Sequence, residues 1–145
     1  MMKIISMIQP WASLFVLGES QFETRTWRTN YRGKLAIHSS KRPDKKACNA
    51  GPVQKLLKFH GLSAETLPTG MIIGVCELKN CIRVIENTGT MAVLEDGRII
   101  SGKELWLGDY RVGCFAWEVE GMRALDEFIP AKGQLGLWEY DGNVL

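Results

Sequence analysis

The sequence lacks the signatures that mark the commonest enzyme classes. It has no G-x-G-x-x-G, no P-loop, no H-E-x-x-H and no G-x-S-x-G, so no dinucleotide, NTP, zincin or α/β-hydrolase site is announced by motif. Histidine is scarce, with only His38 and His60. The four cysteines, Cys48, Cys76, Cys81 and Cys114, form no C-x-x-C pair. Cys76 and Cys81 are an odd offset apart, which puts them on opposite faces of a flat strand. Disulfide scaffolds are usually shorter and richer in cysteine. Free thiols in a reducing compartment are therefore expected, with no metal and no cofactor.

No apolar run approaches the roughly 20 residues of a membrane helix. The opening run from Met1 to Ile8 meets Gln9-Pro10 before it could serve as a signal-peptide core. The expectation is a soluble, cytoplasmic chain without a membrane partner. Internal repeats, low-complexity stretches and linkers are also missing, so residues 1–145 are expected to form a single domain.

What is present begins with core-forming material. The chain has 145 residues, of which 46% are hydrophobic, enough for one substantial core. Net charge is only +2, but it is unevenly spread. From Arg25 to Lys46 there are eight basic residues (Arg25, Arg28, Arg32, Lys34, Lys41, Arg42, Lys45 and Lys46) against Asp44 alone, a local +7 that leaves −5 for the rest. A chain polarised in this way presents a positive face while staying nearly neutral. The alternative is an ordinary solvated loop.

Hydrophobic patterning predicts the elements. Lys3 to Ile8 reads as a strand. Gln9 to Gly18 reads as a short helix, with Pro10 in the first turn, Trp11, Leu14, Phe15 and Leu17 on one face, and Gly18 as the stop. Residues 19–32 read as a strand fragment plus loop, and Gly33 to His38 as a strand. Ser39 to Ala50 reads as irregular. Pro52 to His60 reads as a second helix, with His60 on its apolar face and packed rather than catalytic. Met71 to Leu78 is the longest apolar run, extended or partnered by Cys81 to Glu86. Asp96-Gly97 predicts a type I′ hairpin turn within Met91 to Ser101. Val112 to Val119 and Gly136 to Tyr140 read as the last strands. This order is not a βαβ alternation. It predicts a mixed α+β, mainly β fold, a mostly antiparallel and partly closed β-barrel with two or more short helices at its side.

The chemically informative stretch runs from Gln9 to Trp27. In a strand Glu23, Arg25 and Trp27 share one face. A carboxylate, a guanidinium and an indole side by side suit a planar hydrogen-bonding group such as a nucleobase, the indole stacking and the arginine holding phosphate or a base edge. The competing reading is a structural ion pair capped by a core tryptophan.

Several segments together resemble the ASCH domain family. They are Gln9-Pro10-Trp11-Ala12-Ser13-Leu14, Gly18 followed by Glu23-x-Arg25-x-Trp27, Tyr31-Arg32-Gly33, and Ile37-His38-Ser39-Ser40-Lys41. Gly70-Met71-Ile72-Ile73-Gly74, Phe115-Ala116-Trp117-Glu118, Pro130-Ala131-Lys132-Gly133 and Gly136-Leu137-Trp138 continue the likeness through almost the whole chain. The resemblance implies a PUA-like barrel, with a cleft against the first helix lined by the family motif G-x-K-x-x-E-x-R. It also implies binding of RNA or another nucleic acid.

A related branch of the family hydrolyses the amide of N4-acetylcytidine with a lysine, a threonine and a glutamate, and ribonuclease-like activity is associated with other members. Here the motif lysine is Ser20, and Glu23 stands where that branch has its threonine nucleophile. A serine without an adjacent base is a poor nucleophile. Thr24 is one residue out of register, and Glu77 matches the remaining glutamate only loosely. These departures disfavour amidohydrolase chemistry.

The leading expectation is a nucleic-acid-binding module, with RNA, single-stranded or carrying a modified base, held in a cleft between the barrel and the first helix. Trp11 and Trp27 would stack or form walls. Arg25, Arg28, Arg32 and Lys41 would meet phosphates, with Lys45 and Lys46 at the rim. Glu23 and Ser13 would hydrogen-bond a base, and Ser20 would border the cleft. The alternative is a hydrolase acting on a modified nucleoside or on RNA, with Glu23 as acid or base and Lys41 or Arg25 stabilising negative charge.

Overall fold

A computed structural model describes residues 2–144. Its elements, in chain order, are strand β1 (Met2–Met7), helix α1 (Trp11–Val16), strands β2 (Phe22–Arg25) and β3 (Gly33–Ser39), and helices α2 (Lys45–Cys48) and α3 (Gly51–Phe59). Then follow strands β4 (Met71–Asn87), β5 (Met91–Leu94) and β6 (Ile99–Ser101), helix α4 (Gly102–Trp106), and strands β7 (Phe115–Pro130) and β8 (Leu137–Tyr140). The mixed, strand-dominated class is as expected.

The main sheet runs β2-β7-β4-β3-β1-β8, with β5 and β6 added beside β4. Its pairs are antiparallel except β1 with β3, which is parallel. The sheet is open, because β2 and β8 stand at the two ends of the path. The barrel expected from the sequence is therefore only partly realised.

β4 spans 17 residues, so the runs at Met71 and Cys81 belong to one continuous strand. Its first half pairs with β3 and its last residues with β5, while β7 accompanies it along most of its length. β7 starts three residues after the expected Val112 and continues well past Val119. Much of its second half is solvent-facing, which hid it from hydrophobic patterning. Its register slips opposite Val75 and Glu77, where Gly121 supplies a φ of 65°, as a bulge in this place requires.

α1 begins at Trp11 after a cis Gln9-Pro10 bond. Ala12 through Val16 are buried, whereas Leu17, expected on the apolar face, points outward and is 41% exposed. Gly18 ends the helix at φ 83°, its N–H bonded to the Phe15 carbonyl. α1 packs by Phe15 and Val16 against Ile37, Ile73 and Trp117 of the sheet. A Cβ at Gly74 would lie 2.8 Å from the Val16 methyls, so glycine there permits the close approach.

Two further helices are present, α2 within the stretch expected to be irregular and α4 in a stretch for which the sequence predicts no element. α2 forms because Asp44 caps it, its carboxylate accepting the Ala47 N–H at 3.0 Å. α4 follows β6 directly and buries no residue. The predicted hairpin exists, but its turn differs from the expected type I′. A type I′ turn needs two left-handed residues, and here only Gly97 has a positive φ, 92°. The Gly97 N–H bonds the Leu94 carbonyl, and the Leu94 N–H bonds the Arg98 carbonyl. The loop is thus three residues long, with glycine in its last position.

Cys48, Cys76, Cys81 and Cys114 are all free thiols. Burial pushes the Cys76 thiol up to about 12, which makes it unreactive at neutral pH. Among the described residues no helix is long and apolar enough to cross a membrane.

Candidate functional site

A broad open cavity of about 1440 Å³ lies over the ends of β1 and β3. Trp11 of α1, residues 23–25 of β2, residues 106–109 at the end of α4 and beyond it, and the strap 130–136 wall it in. The cleft thus lies between the sheet and the first helix, but α4 and the strap supply much of its wall.

Of the residues singled out in the sequence, Trp11, Glu23, Arg25 and Lys41 line this cavity. Glu23 and Arg25 come side by side because β2 is extended and they are two residues apart. The Arg25 Nη2 donates to the Ser6 carbonyl at 2.6 Å. Its Nε is 3.3 Å from the Glu23 Oε2, yet it is too poorly aligned to form a hydrogen bond and stays buried without an acceptor. Both side chains remain partly open, at 23% and 19% exposure. The motif is neither a closed structural ion pair nor a free surface pair. Glu23 Oε1 accepts the Thr24 N–H at 3.1 Å. Burial pushes the Glu23 carboxyl above its ordinary value, with Arg25 opposing.

The remaining candidates lie elsewhere. Ser13 is 5% exposed and clamped by Gln9, whose Oε1 accepts the Ser13 N–H and whose Nε2 donates to the Ser13 Oγ at 2.7 Å. Trp27 lies beyond the end of β2 and does not continue its face. It meets Trp117 edge-on at 4.9 Å, and its carbonyl accepts the Trp117 indole N–H. Ser20 is half-buried outside the cavity. Arg28 is exposed, and Arg32 donates to the carbonyls of its own loop, at Thr29 and Tyr31. Glu77 sits on β4 opposite Lys34, away from the cavity.

The basic segment is as exposed as its composition suggested. Arg28, Arg32, Lys34, Lys41, Arg42, Lys45 and Lys46 are all exposed. Among the described residues none of them joins an ion pair, and the one local acid, Asp44, is occupied as a helix cap. The Asp44 N–H donates to the Gln9 carbonyl at 2.8 Å, which holds α2 against the start of α1.

Among the cavity residues that the sequence did not mark as functional are His38, Lys132 and Trp106. His38 is buried and carries its hydrogen on Nε2, because the Ala131 carbonyl at 2.7 Å can only accept. Its Nδ1 faces the Ser6 Oγ at 3.0 Å, which in turn accepts the Trp138 indole N–H at 3.1 Å. Burial pushes His38 below its ordinary value. The chain of bonds ties the strap to the sheet and sets Lys132 at the cavity rim. A Cβ at Gly133 would fall 2.7 Å from the His38 ring, so only glycine fits over it. The Ile37-His38 pair had been visible in the motif, but the Ala131 partner is 93 residues distant.

His60, expected to be packed rather than catalytic, is half-buried at the end of α3, and its Nε2 lies 2.6 Å from Glu19 Oε2. The other oxygen of Glu19 meets Lys103 Nζ at 2.5 Å. Together Lys103 and His60 pull the Glu19 carboxyl below its usual range. Among the described residues no group of three His, Cys, Asp or Glu side chains is placed to hold a metal ion.

The ASCH domain family matches residues 5–123, a span that takes in the end of β1, all of α1 and β2, and the first half of β7. The chain belongs to the ASCH domain family. This ASCH chain is also 35% identical over 81 residues to activating signal cointegrator 1 of Mus musculus, and 32% identical over 81 residues to the Homo sapiens protein of the same name. Each match covers 54% of this chain and 14% of the relative's length.

Proposed function

We propose that this ASCH chain binds single-stranded RNA, with a base entering the cavity and the phosphate backbone crossing the exposed basic segment. The observation that carries the reading is the Glu23–Arg25 pair. It lies in an open cavity, with an Arg25 N–H left without an acceptor, beside a surface whose cations, among the described residues, join no ion pair. The Arg25 side chain is 23% exposed and lines the cavity, so its guanidinium can meet a base edge or a phosphate oxygen there. Trp11 supplies an aromatic wall, and Lys41 a cation at the mouth. Membership of the ASCH family supports RNA over other polyanions.

The test is a titration of short RNA oligomers across salt concentrations. Affinity should fall steeply with salt, with a slope of roughly −0.7 for each phosphate contacted on a single strand. No affinity, or affinity indifferent to salt, would overturn the reading.

A second reading is hydrolysis of a modified nucleoside or of RNA, favoured by the raised Glu23 carboxyl in the same cavity as Lys41. A carboxyl poised nearer neutrality suits general acid or base work. Incubation with acylated cytidines and with single-stranded RNA decides it, turnover lost in Glu23→Gln marking an enzyme.

A further inference from the structure

We propose that Trp106 is the stacking platform for an unstacked base at the cavity mouth, an inference that rests on the RNA-binding reading above. Trp106 closes α4, a helix with no buried residue, and its side chain lines the cavity while remaining 44% exposed. Other large apolar side chains are exposed too, Phe59 at 81% among them, but Phe59 lies outside the cavity.

The position of Trp106 is fixed on both sides, by Leu105 and Leu107 packing against two hydrophobic clusters and by polar bonds. On one side Glu104 Oε1 accepts the Gln21 N–H at 2.9 Å, and Lys103 meets Glu19. On the other, Thr24 Oγ1 accepts the Asp109 N–H at 2.7 Å. These contacts hold α4 against β2 next to Glu23 and Arg25, with Trp106 still 44% exposed. An exposed ring on a fixed support loses little freedom when a second ring stacks on it, which is the economy of a preorganised site. Stacking accepts any base, because every base has a π-face. The cavity would then hold the ring by Trp106 and read its edge by the Glu23–Arg25 pair.

The experiment compares wild type, Trp106→Ala and Trp106→Phe against two probes. One is a single-stranded RNA of roughly eight nucleotides, the other inorganic polyphosphate, which carries the charge without the bases. Trp106→Ala should weaken RNA binding by about 5- to 150-fold, Trp106→Phe less, and neither should change polyphosphate binding. Far-UV circular dichroism should keep its shape, since Trp106 belongs to none of the buried core clusters. RNA affinity unaffected by Trp106→Ala, or lost in equal measure for both probes, overturns the platform and leaves RNA binding standing. If wild type binds no RNA, the RNA reading itself falls. Free nucleosides then decide the platform, which is overturned if they quench tryptophan fluorescence equally in wild type and Trp106→Phe.

Discussion

Two arginine–carboxylate pairs lie on either side of one strand pairing, and they are built differently. Arg98 and Glu118 form a closed fork, with bonds of 2.6 and 2.9 Å, while the Arg98 Nε is taken by Asp96. The guanidinium also rests 5.3 Å from the centre of the Phe22 ring. Phe22 is the β2 residue opposite Glu118, and the next residue along is Glu23. There the guanidinium of Arg25 sits close to a carboxylate without completing the fork. The same chemistry is saturated in one place and incomplete one residue away. A saturated pair fastens the β5–β6 hairpin to the sheet, whereas an incomplete one retains capacity for a ligand.

This contrast is exposed to experiment. The largest expected effect is on binding: Arg25→Ala should lower RNA affinity by about 10- to 100-fold, the range for hydrogen bonds to a charged group. Arg98→Ala should leave affinity unchanged. Oligomer titrations on the two variants would break the comparison if the phenotypes were exchanged.

Stability should show the reverse. Arg98→Ala should cost about 1 kcal/mol in urea denaturation, a modest figure because the pair is partly screened by solvent.

The two carboxylates should also differ in the sign of their pH response. Arg98 lowers the Glu118 carboxyl in the folded state. Its contribution is therefore complete above the ordinary value of 4.5 and is lost as pH falls through the depressed one. Burial raises Glu23, so its contribution is complete below 4.5 and is lost as pH rises through the elevated value. At neutral pH Glu23→Gln should stabilise the fold and Glu118→Gln should destabilise it. Denaturation at two pH values reads both signs.

The smallest effect is expected from the outlying charge. Lys41→Ala should reduce the salt slope of binding by roughly 0.7, with little change in stability.

What could be read from the sequence followed the range of the interactions. The strand-dominated class, α1, α3 and the hairpin depend on local periodicity and on Pro10, Gly18 and Asp96-Gly97. The juxtaposition of Glu23 and Arg25 is likewise local, fixed by a two-residue step in a strand. Trp27 escaped prediction because β2 ends at Arg25 and the core offers Trp117 as a partner. Ser13 appeared available because its clamp, Gln9, could as easily have faced a ligand. His38, Lys132 and Trp106 reach the cavity through long-range pairing of β3, the strap and α4, which no local pattern encodes. His60 required Glu19, 41 residues away. α2 was the exception, since Asp44 is a local N-cap signal that the surrounding lysines obscured.

The unbroken length of β4 has a consequence for dynamics. One end of the strand is sealed inside the main sheet by Ile72 and Ile73, while the other carries the hairpin, with Val84 and Leu94 in a second cluster. Local opening of the hairpin would free the amides near Glu86 without disturbing those near Ile73. Amide exchange along this single strand would therefore form a graded record, each residue reporting how far a fluctuation at the periphery travels before the sheet arrests it.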